Sequence, residues 1–113
     1  MPTEVAAYLR VPLARLVCAL APQRVILFGS YAKGTAHPGS DVDLLVVAEL
    51  PGATDTHMRR ARQLTAGLFP PIDVVLCTPD DVADACKAKS PFLQSVLASG
   101  VTLYSRDPLA PGQ

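Results

Sequence analysis

Two acids one residue apart, Asp41 and Asp43, open the apolar run VDLLVV, and a Gly29-Ser30 pair precedes them with ten residues between. On a strand, residues i and i+2 point to one face, so Asp41 and Asp43 project together while Val42 and Leu44 face the other way. Their α-carbons would lie about 6.6 Å apart. Two carboxylates at that spacing repel, and one becomes hard to ionise. A divalent cation reverses the penalty. Hard oxygen donors of this kind suit Mg²⁺, which keeps some of its waters and takes further ligands from substrate phosphates.

The Gly29-Ser30 pair supplies the complementary half. The β-branched run RVILF ends there and leads into one helical turn at Tyr31 to Lys33. Glycine lets the backbone approach a phosphate closely. The helix start offers free N–H groups to an anion, the Ser30 hydroxyl adds a donor, and Lys33 adds a point charge. Gly34 and Gly39 allow the loop to fold back, so that Ser30 and Asp41 can share one site. A third acid, Asp73, stands alone in the apolar stretch PIDVV. An acid in such a strand either pairs or works. Beside the first two it would ligate a metal and could take a proton from an attacking hydroxyl. Singly, a Gly-Ser after a strand or an Asp before one also reads as an ordinary turn residue. Together they point to a nucleotide and metal site. His37 lies in the same loop and could touch a ligand there, but nothing marks it or His57 as a metal ligand.

The elements that must hold these residues can be read from pattern. Residues 3 to 9 are helix-prone, and Pro12 suits the first turn of a second helix carrying Leu13, Leu16, Val17 and Leu20. Strands are expected at residues 24–28, 42–48 and 72–77, the second buried on both faces because its apolar run is nearly continuous. LPGAT is a turn, and Thr54 or Asp55 caps a helix running to about Leu68. Thr78, Pro79 and the following acids mark another helix start. Pro91 to Ser99 is a last helix with Phe92, Leu93, Val96 and Leu97 on its apolar face, stopped by Gly100 and followed by a short strand, VTLY.

Composition narrows the class. The 113 residues are half hydrophobic, with a formal net charge of zero. One domain and one core are expected, and disorder is a poor reading. Zero net charge argues against direct nucleic-acid binding. Arg59, Arg60 and Arg62 read as the solvated face of a helix. No apolar run reaches the length of about 18 residues that a membrane span needs, and the first residues lack the pattern of a secretory signal, so a soluble, cytoplasmic protein is expected. Three cysteines without CxxC spacing give neither a disulfide framework nor a zinc site. Cys18 and Cys77, in apolar segments, read as small hydrophobes.

The segment FGSYAKGTAHPGSDVDLLVV resembles the signature of the nucleotidyltransferase superfamily with the DNA polymerase β-type core, and in particular its minimal nucleotidyltransferase (MNT) domains. The resemblance runs from about Val11 to Tyr104 and includes the closing segment SPFLQSVLASGVTLY. It implies an α/β (α+β) fold, a small mixed β-sheet of three to four strands flanked by helices. By length and pattern, residues 1–106 are expected as one domain and 107–113 as a loose tail. Gly29 and Ser30 match the family's triphosphate-holding pair, Asp41 and Asp43 its metal-binding pair, and Asp73 its third acid. Lys33 stands where many relatives carry Arg, which keeps the charge but loses the fork. The implied activity is transfer of AMP from ATP to a hydroxyl, with two Mg²⁺ ions. Larger relatives hold the acceptor on an added helical domain; here the acceptor is expected on another molecule. Many MNT domains are antitoxins paired with a helical HEPN-domain toxin, similar to an enzyme that adenylylates a toxin tyrosine. A HEPN partner protein is therefore implied. An unclosed sheet edge also fits association with a like or unlike chain. Two alternatives stand beside this one: a binding antitoxin that occludes its partner with little catalysis, and a catalytic subunit for a small-molecule acceptor.

Overall fold

The computed structural model describes residues 3–37, 39–49, 54–67, 71–85 and 91–106. The turn expected at residues 50–53, Cys86 and the 107–113 tail lie outside them. Helix α1 (Thr3–Leu20) is followed by β1 (Arg24–Phe28), the single turn α2 (Ser30–Lys33) and β2 (Val42–Val47). Then come α3 (Thr54–Thr65), β3 (Ile72–Cys77), α4 (Pro79–Ala85), α5 (Pro91–Ser99) and β4 (Val101–Ser105). The four strands form one mixed sheet in the order β3-β2-β1-β4. β1 is antiparallel to both β2 and β4, and β2 is parallel to β3. The β2–β3 crossover runs through α3, as a parallel pair requires.

Alternation along the strands divides the core between the two faces. One carries Val25, Leu27, Val42, Leu44, Val46 and Val74 against Leu9, Leu16 and Leu20 of α1 and Ala61 of α3. The other carries Ile26, Leu45, Val47 and Cys77 beneath Val96, with Val82, Leu93 and Leu97 packed around them. β2 lies between two neighbours and under both layers, so its side chains are buried from Val42 to Val47 except at Asp43. Each fully buried Leu or Val contributes about 1.5–3 kcal/mol, and this anchors the strand that carries the acids.

Two helices expected before the first strand are one: α1 continues through Pro12. A proline inside a helix loses one backbone bond and crowds the preceding turn, at about 3 kcal/mol. Pro12 is itself fully buried, in line with Leu9, Leu16 and Leu20, and that continuous apolar face offsets the lost bond. Cys18 is exposed, because it sits half a turn away from Leu16 and Leu20; of the two described cysteines, Cys77 alone behaves as a core residue. Helix α3 ends at Thr65, and the chain turns at Gly67 with φ of 78°. The expected start of α4 is as read. The Asp81 amide donates to the Thr78 hydroxyl at 3.1 Å, while the Thr78 amide donates to the Asp81 carboxylate at 2.9 Å.

Candidate active site

The register of the sheet brings the three acids to one end. Asp43 pairs across β1–β2 with Phe28 and across β2–β3 with Asp73. Phe28, Asp43 and Asp73 thus form a row over three adjacent strands, spaced by about 4.8 Å per strand. Asp43 lies two residues before Leu45, and Asp73 two before Val75, so both belong to the face covered by α4 and α5. Asp41 and Asp73 are exposed and Asp43 is half-buried. Burial pushes the Asp43 carboxyl above its usual range, and the charges of Asp73 and then Asp41 push it further. The repulsion expected from the Asp-x-Asp spacing therefore falls on Asp43, with Asp73 as its stronger source.

Gly29 joins this row to the turn that follows. Its φ of 78° and ψ of −154° lie in a region open essentially to glycine alone. A Cβ there would fall onto Oδ2 of Asp43, with Asp43 Cγ at 3.2 Å. The residue expected to let a phosphate approach the backbone is thus also the residue that leaves room for the central acid. Ser30 opens α2 half-buried, and Lys33 ends it exposed. The Lys33 amide donates to the Gly29 carbonyl at 3.1 Å, and the Thr35 amide to the Ser30 carbonyl at 2.9 Å. Four residues do not build a macrodipole, so the anion-attracting helix expected from the sequence reduces here to the free N–H groups of a first turn.

The return loop is pinned on its far side. The His37 amide donates to the Ser40 hydroxyl at 2.8 Å, and the Ser40 amide to the His37 carbonyl at 2.9 Å. This closed turn, with Gly39 at φ of 84°, sets Asp41 at the mouth of β2. His37 keeps an exposed side chain, and its backbone has this structural task. The arginines Arg59, Arg60 and Arg62 are exposed on α3, away from the acid face.

Among the described residues, no three Asp, Glu, His or Cys side chains are set closely enough to hold a metal ion by themselves. The donor set nevertheless suits Mg²⁺. That ion retains waters and completes its octahedron with substrate phosphates, so an open rim of carboxylates fits it better than it fits a cation needing a full protein cage. The mutual repulsion centred on Asp43 is the electrostatic condition that a bound cation relieves.

One aromatic pair beside the acids was not legible in the sequence. Phe92, expected in the core face of α5, is 48% exposed. Its ring meets Phe28 edge to face, with centroids 5.5 Å apart and planes at 83°. Helical spacing gave α5 its apolar face, but only the sheet register shows that Phe92 reaches the end of β1 beside Asp43.

Residues 13–94 match the nucleotidyltransferase domain family. The chain belongs to that family. The match includes the Gly-Ser turn and all three acids of this nucleotidyltransferase. A protein of Methanocaldococcus jannaschii named "Putative protein adenylyltransferase" is 35% identical over an 88-residue alignment that covers 74% of this chain and 58% of that protein. The match thus spans well under two thirds of that relative's length. Among solved structures, a toxin–antitoxin crystallised with AMP-PNP superimposes with a TM-score of 0.58 at 27% identity, covering 83% of this chain and 71% of that one. A mutant MntA–HpeT toxin–antitoxin gives 0.53 at 24% identity, over 90% and 71% respectively. At that identity the second likeness is one of fold. The described nucleotidyltransferase residues form no helix long and apolar enough to cross a membrane.

Proposed function

We propose that this nucleotidyltransferase transfers AMP from ATP to a hydroxyl, most simply a tyrosine, of a partner protein, that it depends on Mg²⁺, and that it acts as the antitoxin to a helical HEPN-type toxin. The observation that carries the reading is the close approach of Gly29 to Asp43: the phosphate turn and the central acid meet at one point, as transfer of a nucleotidyl group requires. The adenylyltransferase named in the M. jannaschii relative and the AMP-PNP in the toxin–antitoxin neighbour support the choice of nucleotide and acceptor.

In this reading Gly29 and Ser30 hold the β- and γ-phosphates through backbone N–H groups and the Ser30 hydroxyl, and Lys33 adds charge at the tail. Asp41 and Asp43, with Asp73, would hold the metal and set the α-phosphorus over the row. Mg²⁺, when bound, supplies neutralisation of the charge that develops on the attacking and leaving oxygens. The acceptor oxygen bonds to the α-phosphorus as the bond to the β-phosphate oxygen breaks, and pyrophosphate departs toward Ser30 and Lys33. Asp73, at the outer end of the row, accepts the proton of the attacking hydroxyl.

The test is labelling. The purified chain is incubated with Mg²⁺ and host extract, once with α-³²P-ATP and once with γ-³²P-ATP, beside an Asp41→Ala control. A protein band carrying the α label alone, and lost in the control, is the expected result. An α-labelled band that persists in Asp41→Ala would overturn the metal role. No band in any lane, with the chain still capturing its partner, would favour occlusion over catalysis.

A further inference from the structure

The Phe28–Phe92 pair has no part in the phosphate or acid chemistry, yet it stands at one end of the acid row. Phe28 is directly opposite Asp43 in the ladder, which places the two Cβ atoms about 4.5–5.5 Å apart on one face. It is also the residue before Gly29. Phe92 leans on it edge to face from α5 and leaves about half of its surface open, at 48% exposure. An exposed phenylalanine held by a second ring is a rigid platform for another planar group.

We propose that Phe92, braced by Phe28, is the stacking surface for the nucleobase. This rests on the adenylyl-transfer reading above. The row fixes the direction. Phe28, Asp43 and Asp73 follow one another across β1, β2 and β3. The acceptor hydroxyl must reach Asp73, so the acceptor approaches from the β3 side. The triphosphate tail runs from the α-phosphorus toward Ser30 and Lys33, on the turn α2, whose Tyr31 and Ala32 pack against the α1 face of the sheet. The remaining substituent of the α-phosphate is the nucleoside, and the surface left for it is the β1 end of the opposite face, which Phe28 shares with α5, where one ribose separates the phosphate over Asp43 from a base over Phe92. Stacking on an aromatic face is tolerant of the base, so Phe92 raises affinity for nucleoside triphosphates as a class and leaves discrimination among bases to edge contacts.

The test separates base from phosphate. The fluorescent triphosphate of 2-aminopurine riboside, whose emission is quenched on stacking, is titrated with Mg²⁺ into the wild-type chain, Phe92→Leu and Phe92→Trp. Inorganic tripolyphosphate serves as a competitor without a base, and circular dichroism checks that each variant is folded. The expected result is quenching in the wild type, binding about ten-fold weaker in Phe92→Leu, recovery in Phe92→Trp, and an unchanged affinity for tripolyphosphate throughout. Equal nucleotide affinity in wild type and Phe92→Leu overturns the stacking role and leaves the adenylyl-transfer reading standing. Equal nucleotide affinity with loss of protein labelling also overturns it, by giving Phe92 to the acceptor. A wild-type chain that binds neither the nucleotide nor tripolyphosphate overturns the underlying reading, and the stacking role with it.

Discussion

At the residue scale, Gly29 and Asp43 act as one unit. Gly29→Ala would place a methyl on the Asp43 carboxylate and force a non-glycine residue into a glycine-only conformation. Such strain costs about 1–3 kcal/mol, so the expected outcome is a lower melting temperature together with lost transfer. An active Gly29→Ala with unchanged melting would show that the turn does not depend on that contact. Asp43 makes a second case. Its carboxyl binds a proton more tightly in the folded chain than in the unfolded one. Its favourable contribution is therefore present below the unfolded carboxylate pKa and lost as pH rises through the folded value. Asp43→Asn is expected to melt higher than wild type at neutral pH without divalent ions, with the gain shrinking as the pH falls into the carboxylate range, while transfer disappears. A lower melting temperature at neutral pH would place the cost of Asp43 elsewhere.

At the element scale, the reciprocal Thr78–Asp81 cap starts α4 at the end of β3. Thr78→Ala should cost about 1 kcal/mol, read as a lower urea midpoint at an unchanged slope; no shift would mean that packing on β3 alone sets the helix start. Gly100→Ala should also destabilise, by about 1–3 kcal/mol, because an added Cβ would lie 2.5 Å from both Ile26 Cγ2 and the Val96 carbonyl. These signals were legible because they are local. Runs such as RVILF and IDVVLC, bounded by Pro and Gly-Ser, mark their strands without help from the rest of the chain, and Thr78-Pro79 marks its helix. Pro12 misled because proline speaks only of its own turn, whereas its toleration inside α1 is a matter of tertiary burial. The Asp41–Asp43 pair was readable from strand period. That Asp73 pairs with Asp43, and that Phe92 stops short of the core, depend on register and docking, which a crossover helix sets and which spacing along the chain does not carry.

At the scale of the whole molecule, the two described cysteines meet opposite fates. Burial, followed by the nearby charge of Asp81, pushes the Cys77 thiol from 9.0 up to about 11, with Arg24 opposing. Cys18 lies exposed on α1. Iodoacetamide at pH 8, followed by peptide mass spectrometry, should modify Cys18 in the folded chain and reach Cys77 only on unfolding; equal labelling would mean that the α4–α5 layer opens readily. The neutral thiol's contribution to stability should hold up to about pH 9 and fade toward about pH 11, because the unfolded chain loses that proton first. The strand order has a consequence for time as well as for space. β1 lies between β2 and β4, so one of its edges is satisfied by the next strand in the chain, while the other waits for Val101–Ser105. Closure over so long a stretch is entropically slow. During synthesis the Gly-Ser turn and the Asp41–Asp43 pair can assemble as a β1–β2 hairpin, but the row gains Asp73 only after the α3 crossover, and its aromatic end only when α5 has docked. The full row is thus assembled only late in folding, and an incomplete nascent chain would lack a complete nucleotidyltransferase site.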